Sequence, residues 1–415
     1  LRIGFILCEH PLDVRIKKEA RSLSKAGHEI IALVQRRETN QKLIKEDSLA
    51  VQFYDPLPSN GLRDAITFVN RMLFLPIPVE PLIRKFAIEN KVDVLHIHDL
   101  PNVGAGIRVA RQLGIPVVAD LHENYPAAVR AWVGRLKPSH LISTNQTLWH
   151  NYQKRCVHRA NKVITVVEEL RNVILSYGVE PEKVHVVPNY VDLDYLRSYA
   201  RVIEPMPGYE NRFIVSYVGF TGPDRGVDVA IKAISLVAKQ APEILLLVVG
   251  DAGLHKTYQQ TLQQLVADLR LQNFVKLVGW QPFENIPRYL AVSSIGLVPH
   301  LRNPHRDNTI PNKLFDYMGF GKPVVVSDCP PLARIVRTAN CGLVCKAGQP
   351  NELAECILQL FYNHELRARY GANGASAVQN YYNWENASKE LVRVYECLAN
   401  SRPQESSNLV SQTCM

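Results

Sequence analysis

The segment Asn308-Thr309-Ile310-Pro311-Asn312-Lys313-Leu314-Phe315-Asp316-Tyr317-Met318-Gly319-Phe320-Gly321-Lys322-Pro323-Val324-Val325 carries an amide, a lysine and a carboxylate in close succession. It reads as loop, helix, glycine turn and strand. Pro311 suits a first helical turn, where its missing N–H costs nothing, and the free amides after it form a positive terminus for an anion. A diphosphate fits that chemistry. His96 and His98 alternate on one expected strand and are expected to face opposite sides of the sheet, which makes them poor metal partners. No metal site is expected.

Such a site needs a scaffold, and the chain supplies βαβ grammar twice. Apolar runs at residues 3–7, 29–34, 92–98, 115–120, 163–167 and 184–187 alternate with helical patterns, the first from about Asp13 to a stop at Gly27. The runs are apolar throughout, as strands buried on both faces are, which implies a mostly parallel sheet. The rhythm lapses into a polar stretch at 193–212, with Pro205, Pro207 and Gly208, and restarts at 213–218. Further runs at 244–249, 274–278, 295–298 and 324–326 and a long helical C-terminus follow. The expected fold class is α/β, with two Rossmann-like doubly wound domains. The first is expected over 1–200 and the second over 201–385, followed by a helix at 386–400 that crosses back and a mobile tail at 401–415. Parallel sheets bind ligands at their strand C-termini, so a cleft between the domains is implied.

The bulk properties narrow the classes. The 415 residues exceed one ordinary core, and 47% hydrophobic with 21% charged residues describes a folded globular protein. Lys and Arg outnumber Asp and Glu by 48 to 39, a formal net charge of +9 that suits a phosphate-bearing ligand or an anionic membrane surface. The basic residues are scattered, with no interleaved aromatic tract, so nucleic acid is not an expected partner. The eight cysteines form no CxxC or His-rich spacing, against a zinc site or a disulfide framework. No run reaches membrane-spanning length, and residues 1–7 enter a strand without signal-peptide order, so a cytoplasmic location is expected.

The segment 308–325 resembles the Pro-Asn-Lys-Leu-Phe-Glu-Tyr-Met…Gly-Lys-Pro-Val-Val string of retaining glycosyltransferase family 4, whose architecture is called GT-B. In that family two acidic residues eight apart bracket the donor. Asp316 matches the second, which implies a hydrogen bond to nucleotide ribose. Asn308 takes the place of the first, where an amide can bond a sugar hydroxyl but adds no negative charge. Tyr217-Val218-Gly219-Phe220-Thr221-Gly222-Pro223-Asp224-Arg225-Gly226 resembles the family's phosphate cradle. Gly219 and Gly222 let the backbone approach the donor, and Arg225 neutralises the leaving diphosphate. Phe220 replaces a common Arg, so one phosphate clamp is either missing or supplied by another residue such as Lys313.

Val118-Ala119-Asp120-Leu121-His122-Glu123 resembles the family's Asp-x-His-Glu segment. His122 is expected to bind a donor-sugar hydroxyl or to orient the acceptor with Glu123, and Asp13 and Arg15 are expected near the cleft mouth on the acceptor side. Gly250, in Gly250-Asp251-Ala252-Gly253, and the loop residues Thr309, Ile310, Pro311 and Asn312 join the expected donor set. Further matches are Val278-Gly279-Trp280 and Pro188-Asn189-Tyr190-Val191-Asp192, so the resemblance spans about residues 1 to 395. Asp192-Leu193-Asp194 mimics the metal-binding DxD of other glycosyltransferases but sits beside the expected linker and is read as structural.

The resemblance implies sugar transfer from a nucleoside-diphosphate sugar to an acceptor hydroxyl with retention, without a cofactor or metal, in polysaccharide, glycolipid or glycoside assembly. The acceptor would be a carbohydrate, a lipid-linked molecule or a small molecule. Residues 65–90, with Phe68, Met72, Leu82, Arg84 and Lys85, and residues 132–137 have the composition of a peripheral contact with an anionic membrane, although a buried amphipathic helix reads the same way. A nucleotide-sugar epimerase of the same architecture and a non-catalytic nucleotide-sugar-binding protein are the competing readings.

Overall fold

The computed structural model describes residues 1–7, 14–35, 43–46, 48–54, 79–132, 144–200, 206, 208–253 and 255–400. The first half forms an eight-stranded sheet from β1 (Arg2–Ile6), β2 (Glu29–Gln35), β3 (Leu43–Glu46), β4 (Leu49–Tyr54), β5 (Val94–His98), β6 (Val117–Leu121), β7 (Lys162–Thr165) and β8 (Val184–Val186). The strand order is β3-β4-β2-β1-β5-β6-β7-β8, and β3 alone runs antiparallel, against β4. Helices α1 (Val14–Lys25), α2 (Val79–Glu89), α3 (Leu100–Leu113), α4 (Tyr125–Trp132), α5 (Gln146–Arg159) and α6 (Glu168–Leu175) cover it, and α7 (Leu193–Ala200) follows.

The second half is a six-stranded parallel sheet of β9 (Phe213–Val218), β10 (Ile244–Val249), β11 (Val275–Gly279), β12 (Ile295–Val298), β13 (Val324–Ser327) and β14 (Gly342–Cys345), ordered β11-β10-β9-β12-β13-β14. Its helices are α8 (Val227–Val237), α9 (Lys256–Asp268), α10 (Ile286–Val292), α11 (Lys313–Gly319), α12 (Pro330–Ala339), α13 (Pro350–Tyr362) and α14 (His364–Asn380). The strand β10, Ile-Leu-Leu-Leu-Val-Val, is buried at every residue because helices lie on both faces. Strand order reverses between β1 and β5 in one sheet and between β9 and β12 in the other, and at such points the neighbouring loops part and leave a crevice.

The last helix, α15 (Trp384–Asn400), returns to the first half. Trp384, Ala387, Leu391, Val394, Tyr395 and Leu398 share one apolar core with Ile3, Phe5, Ile16, Leu23 and Ile30. The Trp384 indole donates to Ser22 Oγ at 2.9 Å, and Val191 and Asn383 form a parallel bridge where the two crossings between halves run side by side.

Four elements differ from the sequence expectation. The strands β3 and β4 were not expected; in β4 buried Leu49, Val51 and Phe53 alternate with half-buried residues, the pattern of a strand near a sheet margin. The four-residue β14 is too short to declare a period. The polar stretch 193–212 opens with α7, whose Leu193 is buried and whose Leu196 fills the space a side chain at Gly319 would need. Of the expected membrane-contact stretch, 65–78 lie outside the described residues. The described part, α2, turns Ile83, Phe86 and Ala87 into the core and leaves Arg84 and Lys85 exposed, so interior packing accounts for its apolar face. Residues 133–137 lie outside the described residues.

Candidate active site

Gly219 follows β9 at the reversal point with φ 112°, and Gly250 follows β10 with φ 133°. A Cβ at Gly250 would stand 2.1 Å from the Gly219 carbonyl oxygen, so the two strand ends meet only because Gly250 lacks a side chain. Beside Gly219 lies Lys313, at the start of α11; a Cβ on Gly219 would be 3.2 Å from its Nζ. The ammonium is buried, sits 3.5 Å from the centre of the Tyr217 ring, and has no hydrogen-bond partner among the described residues. Burial, then Arg225 and Arg306, hold its pKa well below the usual lysine value.

Arg225 ends a 3-10 turn, Pro223–Arg225, and its buried Nε likewise lacks a hydrogen-bond partner among the described residues, with Asp224 Oδ1 at 3.8 Å. Burial and then Arg306 lower its pKa. Arg306 opens another 3-10 turn, Arg306–Asn308, and its Nε reaches Asp224 Oδ2 at 2.6 Å. Burial alone would raise the Asp224 carboxyl, but Arg306 and Arg225 prevail and lower it. Burial also disfavours charge on the neighbouring imidazoles, holding His300 well below its ordinary value and His305 near about 3, with Arg225 and Arg306 adding to it. Arg225, Arg306 and Lys313 thus converge with too little negative charge nearby, an arrangement that an anion completes.

The expected donor loop is held from within. The Asn308 amide donates to Pro304 O at 2.7 Å, Thr309 Oγ1 donates to His305 O at 3.2 Å, and Ile310 packs against the cores of both halves. Pro311 lies just ahead of α11, outside its first turn, and Asn312 is the N-cap without a side-chain cap bond. Asp316, inside α11, has its carboxyl pushed up to about 7 by burial, against the pull of Lys18 and Lys313. Lys18, on α1 of the other half, donates to Asn189 Oδ1 at 2.7 Å and to Tyr190 O at 2.6 Å.

Across the gap, His122 and Glu123 follow β6. Glu123 Oε2 lies 3.1 Å from His305 Nε2, a direct contact between halves, and a bidentate pair of Arg334 with Glu169 at 2.8 and 2.9 Å makes another. Burial, partly offset by Arg306, raises the Glu123 carboxyl to about 6. His122 Nε2 meets Asp120 Oδ2 at 2.9 Å. Burial would lower its pKa, but Asp120 and then Asp99 raise it to about 9. Behind them Asp120 is a fully buried hub that also takes Arg15 Nη2 at 3.3 Å and His96 Nε2 at 3.3 Å.

Four expectations are corrected. Arg15 is not at a cleft mouth: it is 2% exposed, pairs with Glu19 at 2.7 Å and with Asp120, and donates to Val187 O, so it holds carboxylates in place and cannot reach an acceptor. The missing side chain of Gly222 accommodates the Phe220 ring, 2.4 Å from where a Cβ would be, and so does not open the backbone to a ligand. Pro311 lies outside the helix it was expected to begin. His96 and His98 do not face opposite sides; residues two apart on a strand share a face, and their rings stack at 4.3 Å. With Glu19 and Asp120 they bring four ligand-type atoms within 4.8 Å of one another. That set has the donor types for a divalent ion, but Arg15 and His122 already balance its two carboxylates. Asp13 lies outside the described residues.

Sequence reasoning missed Arg306, Asp120, Glu19 and Lys18. Asp120 stood inside a quoted segment, whereas Arg306 carries no motif and only the fold brings it to Asp224.

Two family models match the chain, one described as Glycosyltransferase Family 4 over residues 13–195 and one as Glycosyl transferases group 1 over residues 203–377. A phosphatidyl-myo-inositol mannosyltransferase of Mycobacterium leprae is 27% identical over 353 residues, 83% of this chain and 82% of that one. Among solved structures, sucrose-phosphate synthase from Thermosynechococcus elongatus superposes with TM-score 0.76 at 17% identity, over 97% of this chain and 100% of that chain. The Anabaena protein HepE in complex with UDP superposes with TM-score 0.74 at 17% identity, over 96% and 100%. The shared architecture is GT-B, two Rossmann-like domains with parallel sheets.

Proposed function

The chain belongs to glycosyltransferase family 4, and from that premise we propose that it transfers a sugar from a nucleoside-diphosphate sugar to an acceptor hydroxyl with retention at the anomeric carbon. The observation that carries this reading is the convergence of Arg225, Arg306 and Lys313 beside Gly219, a buried excess of positive charge at a strand reversal. In this reading the diphosphate takes that place. Asp316 meets the nucleotide ribose, and the sugar extends toward His122 and Glu123. Asn308, Thr309, Ile310, Pro311 and Asn312 shape the loop beside it, and Gly250 keeps the strand ends close.

The reaction is a front-face substitution. The bond from the anomeric carbon to the leaving phosphate oxygen breaks as the acceptor oxygen bonds that carbon from the same face. The acceptor proton passes to the leaving phosphate oxygen. The three cations offset the charge that builds on the diphosphate, the part a metal ion plays elsewhere, and the protein supplies orientation without a nucleophile of its own. Arg306 takes over the phosphate contact that Phe220 does not offer. The mannosyltransferase name of the relative and the UDP in the HepE structure support a nucleotide-linked donor, and a role in glycolipid, polysaccharide or glycoside assembly follows as part of the proposal.

The test is calorimetric titration with UDP, GDP, ADP and their common sugars, followed by analysis of turnover products with candidate acceptors. Tight binding of one nucleotide family and a new glycosidic product support the reading. An isomerised nucleotide sugar makes the protein an epimerase, and binding of no nucleotide removes the donor-site reading.

A further inference from the structure

Among the residues that α15 adds to the core of the first half, Tyr395 brings a hydroxyl as well as a ring. The side chain is fully buried, where a phenylalanine would fill almost the same space, and a buried hydroxyl needs a partner. That partner is His96 Nδ1, on β5 and 299 residues away along the chain, at 2.5 Å. The other ring nitrogen, His96 Nε2, faces Asp120 Oδ2 at 3.3 Å, and Asp120 in turn meets His122 at 2.9 Å. A line of hydrogen bonds thus runs from the returning helix, across β5 and β6, to His122.

Each proton on this line is fixed by its neighbours. Burial would raise the Asp120 carboxyl, but Arg15 and then His122 prevail and hold it well below its usual value, so it is a carboxylate and only accepts. His96 Nε2 therefore carries the ring proton, and Nδ1 presents a lone pair. Burial holds the Tyr395 phenol well above its ordinary pKa, so it keeps its proton and donates to that lone pair. With both nitrogens engaged, His96 has no place for a second proton, and burial favours the same neutral state. The positive charge beside Asp120 then belongs to Arg15 and His122. The other groups that face His122 are Asp99, with an oxygen 3.8 Å from its Nδ1, His98, with Nδ1 3.3 Å from its Nε2, and Glu19 and Glu123, whose carboxyls both feel its charge.

We infer that Tyr395 is a positioning residue of the active site: by donating to His96 it fixes the tautomer of that ring and so leaves Asp120 to the imidazolium of His122. The helix at the end of the described chain then supplies chemistry to the first domain as well as packing. Without the phenol, His96 Nδ1 is open to a proton, and an imidazolium there competes with His122 for the same carboxylate. The inference rests on the transfer reading in taking His122 as a group that faces the sugar.

Ring-nitrogen NMR of the full chain labelled with 15N-histidine reads both rings without a nucleotide, and His96→Gln and His122→Gln assign the signals. In wild type, His96 should keep its proton on Nε2 from about pH 5 to about pH 10, and His122 should titrate at about 9. In Tyr395→Phe, His96 should take up a proton and the His122 titration should move down by about one unit. In a His96→Gln background, adding Tyr395→Phe should move it no further, because an amide takes no proton. With a nucleotide sugar and an acceptor, the alkaline fall of kcat/KM should shift together with the His122 titration. A tyrosine that only packs would lower the melting temperature and leave the titration unmoved. The inference is overturned by a wild-type His96 that titrates in this range or carries its proton on Nδ1, by an unmoved His122 titration or kcat/KM profile in Tyr395→Phe, or by an equal shift in the His96→Gln background. If Tyr395→Phe does not fold, the wild-type tautomer decides. Absence of turnover with every nucleotide sugar removes the transfer reading, while the ring protons still report whether Tyr395 acts on His122.

Discussion

Arg306 Nε stands 2.6 Å from Asp224 Oδ2, and with the Leu301 N–H that donates to Asp224 O at 3.0 Å this contact fastens the loop ahead of α11 to the glycine loop after β9. The contact brings a third cation to Arg225 and Lys313. Arg306→Ala is expected to weaken nucleoside diphosphate binding by about tenfold or more, the scale of a hydrogen bond to a charged group, and to leave nucleoside binding unchanged. Titration with both ligands decides it; equal losses for the two would sink a phosphate role.

Lys313 makes the opposite trade. A buried ammonium without a hydrogen bond among the described residues is a burden on the unliganded protein, so Lys313→Met is expected to raise the unliganded melting temperature. The same variant should lose much of the stabilisation that nucleoside diphosphate confers. Calorimetric melts with and without ligand separate the two effects, and a variant that melts below wild type without ligand argues against this account.

Arg15 neutralises Glu19 and Asp120 inside the first domain. Removing it takes from buried Glu19 its partner at 2.7 Å and leaves Asp120 to His122 and His96, and Arg15→Ala is expected to cost about 3–5 kcal/mol in urea unfolding. Adding Glu19→Gln should restore part of that loss by replacing the buried carboxyl that Arg15 no longer holds. A double variant no more stable than Arg15→Ala would mean that lost packing, not charge, dominates.

Stability should fall as pH rises from 6.5 to 9. His122 has a folded-state pKa of about 9, above the ordinary 6.5, so its contribution is full below 6.5 and is lost as pH climbs through 9. Burial raises Glu19 to about 8, against the pull of Arg15, and a carboxyl raised above 4.5 likewise loses stability as pH rises toward 8. The His122→Gln variant should flatten the upper part of the slope by up to about 1.4 kcal/mol per pH unit. Melting temperatures across that range, with an unchanged slope in the variant, would exclude His122 as the source.

The sheet architecture was legible because most central strands are apolar runs followed by a helix, as in 244–249. Of the expected donor residues, Gly219, Arg225 and Lys313 lie close together, where local spelling and local geometry coincide. Arg306 was hidden because its neighbour Asp224 is 82 residues away, a distance only topology spans. Arg15 was misplaced for a related reason. A charged residue on an amphipathic helix reads as exposed, and only the three-dimensional meeting with Glu19 and Asp120 shows that it is buried. Phe220 read as a missing cation, while its ring in fact packs over Gly222.

The polypeptide passes between the two domains twice, near Val191 and near Asn383, and the passages are bonded to each other, with the Trp384 N–H donating to Val191 O at 2.9 Å. A body held by one strap can swivel in any direction. One held by two adjacent straps, with α15 clamped to the far side, is left with rotation about the line through them, as a door is. Any opening of the halves is then confined to one arc, and the edge at His122 returns to the same place opposite the cation cluster without having to search for it.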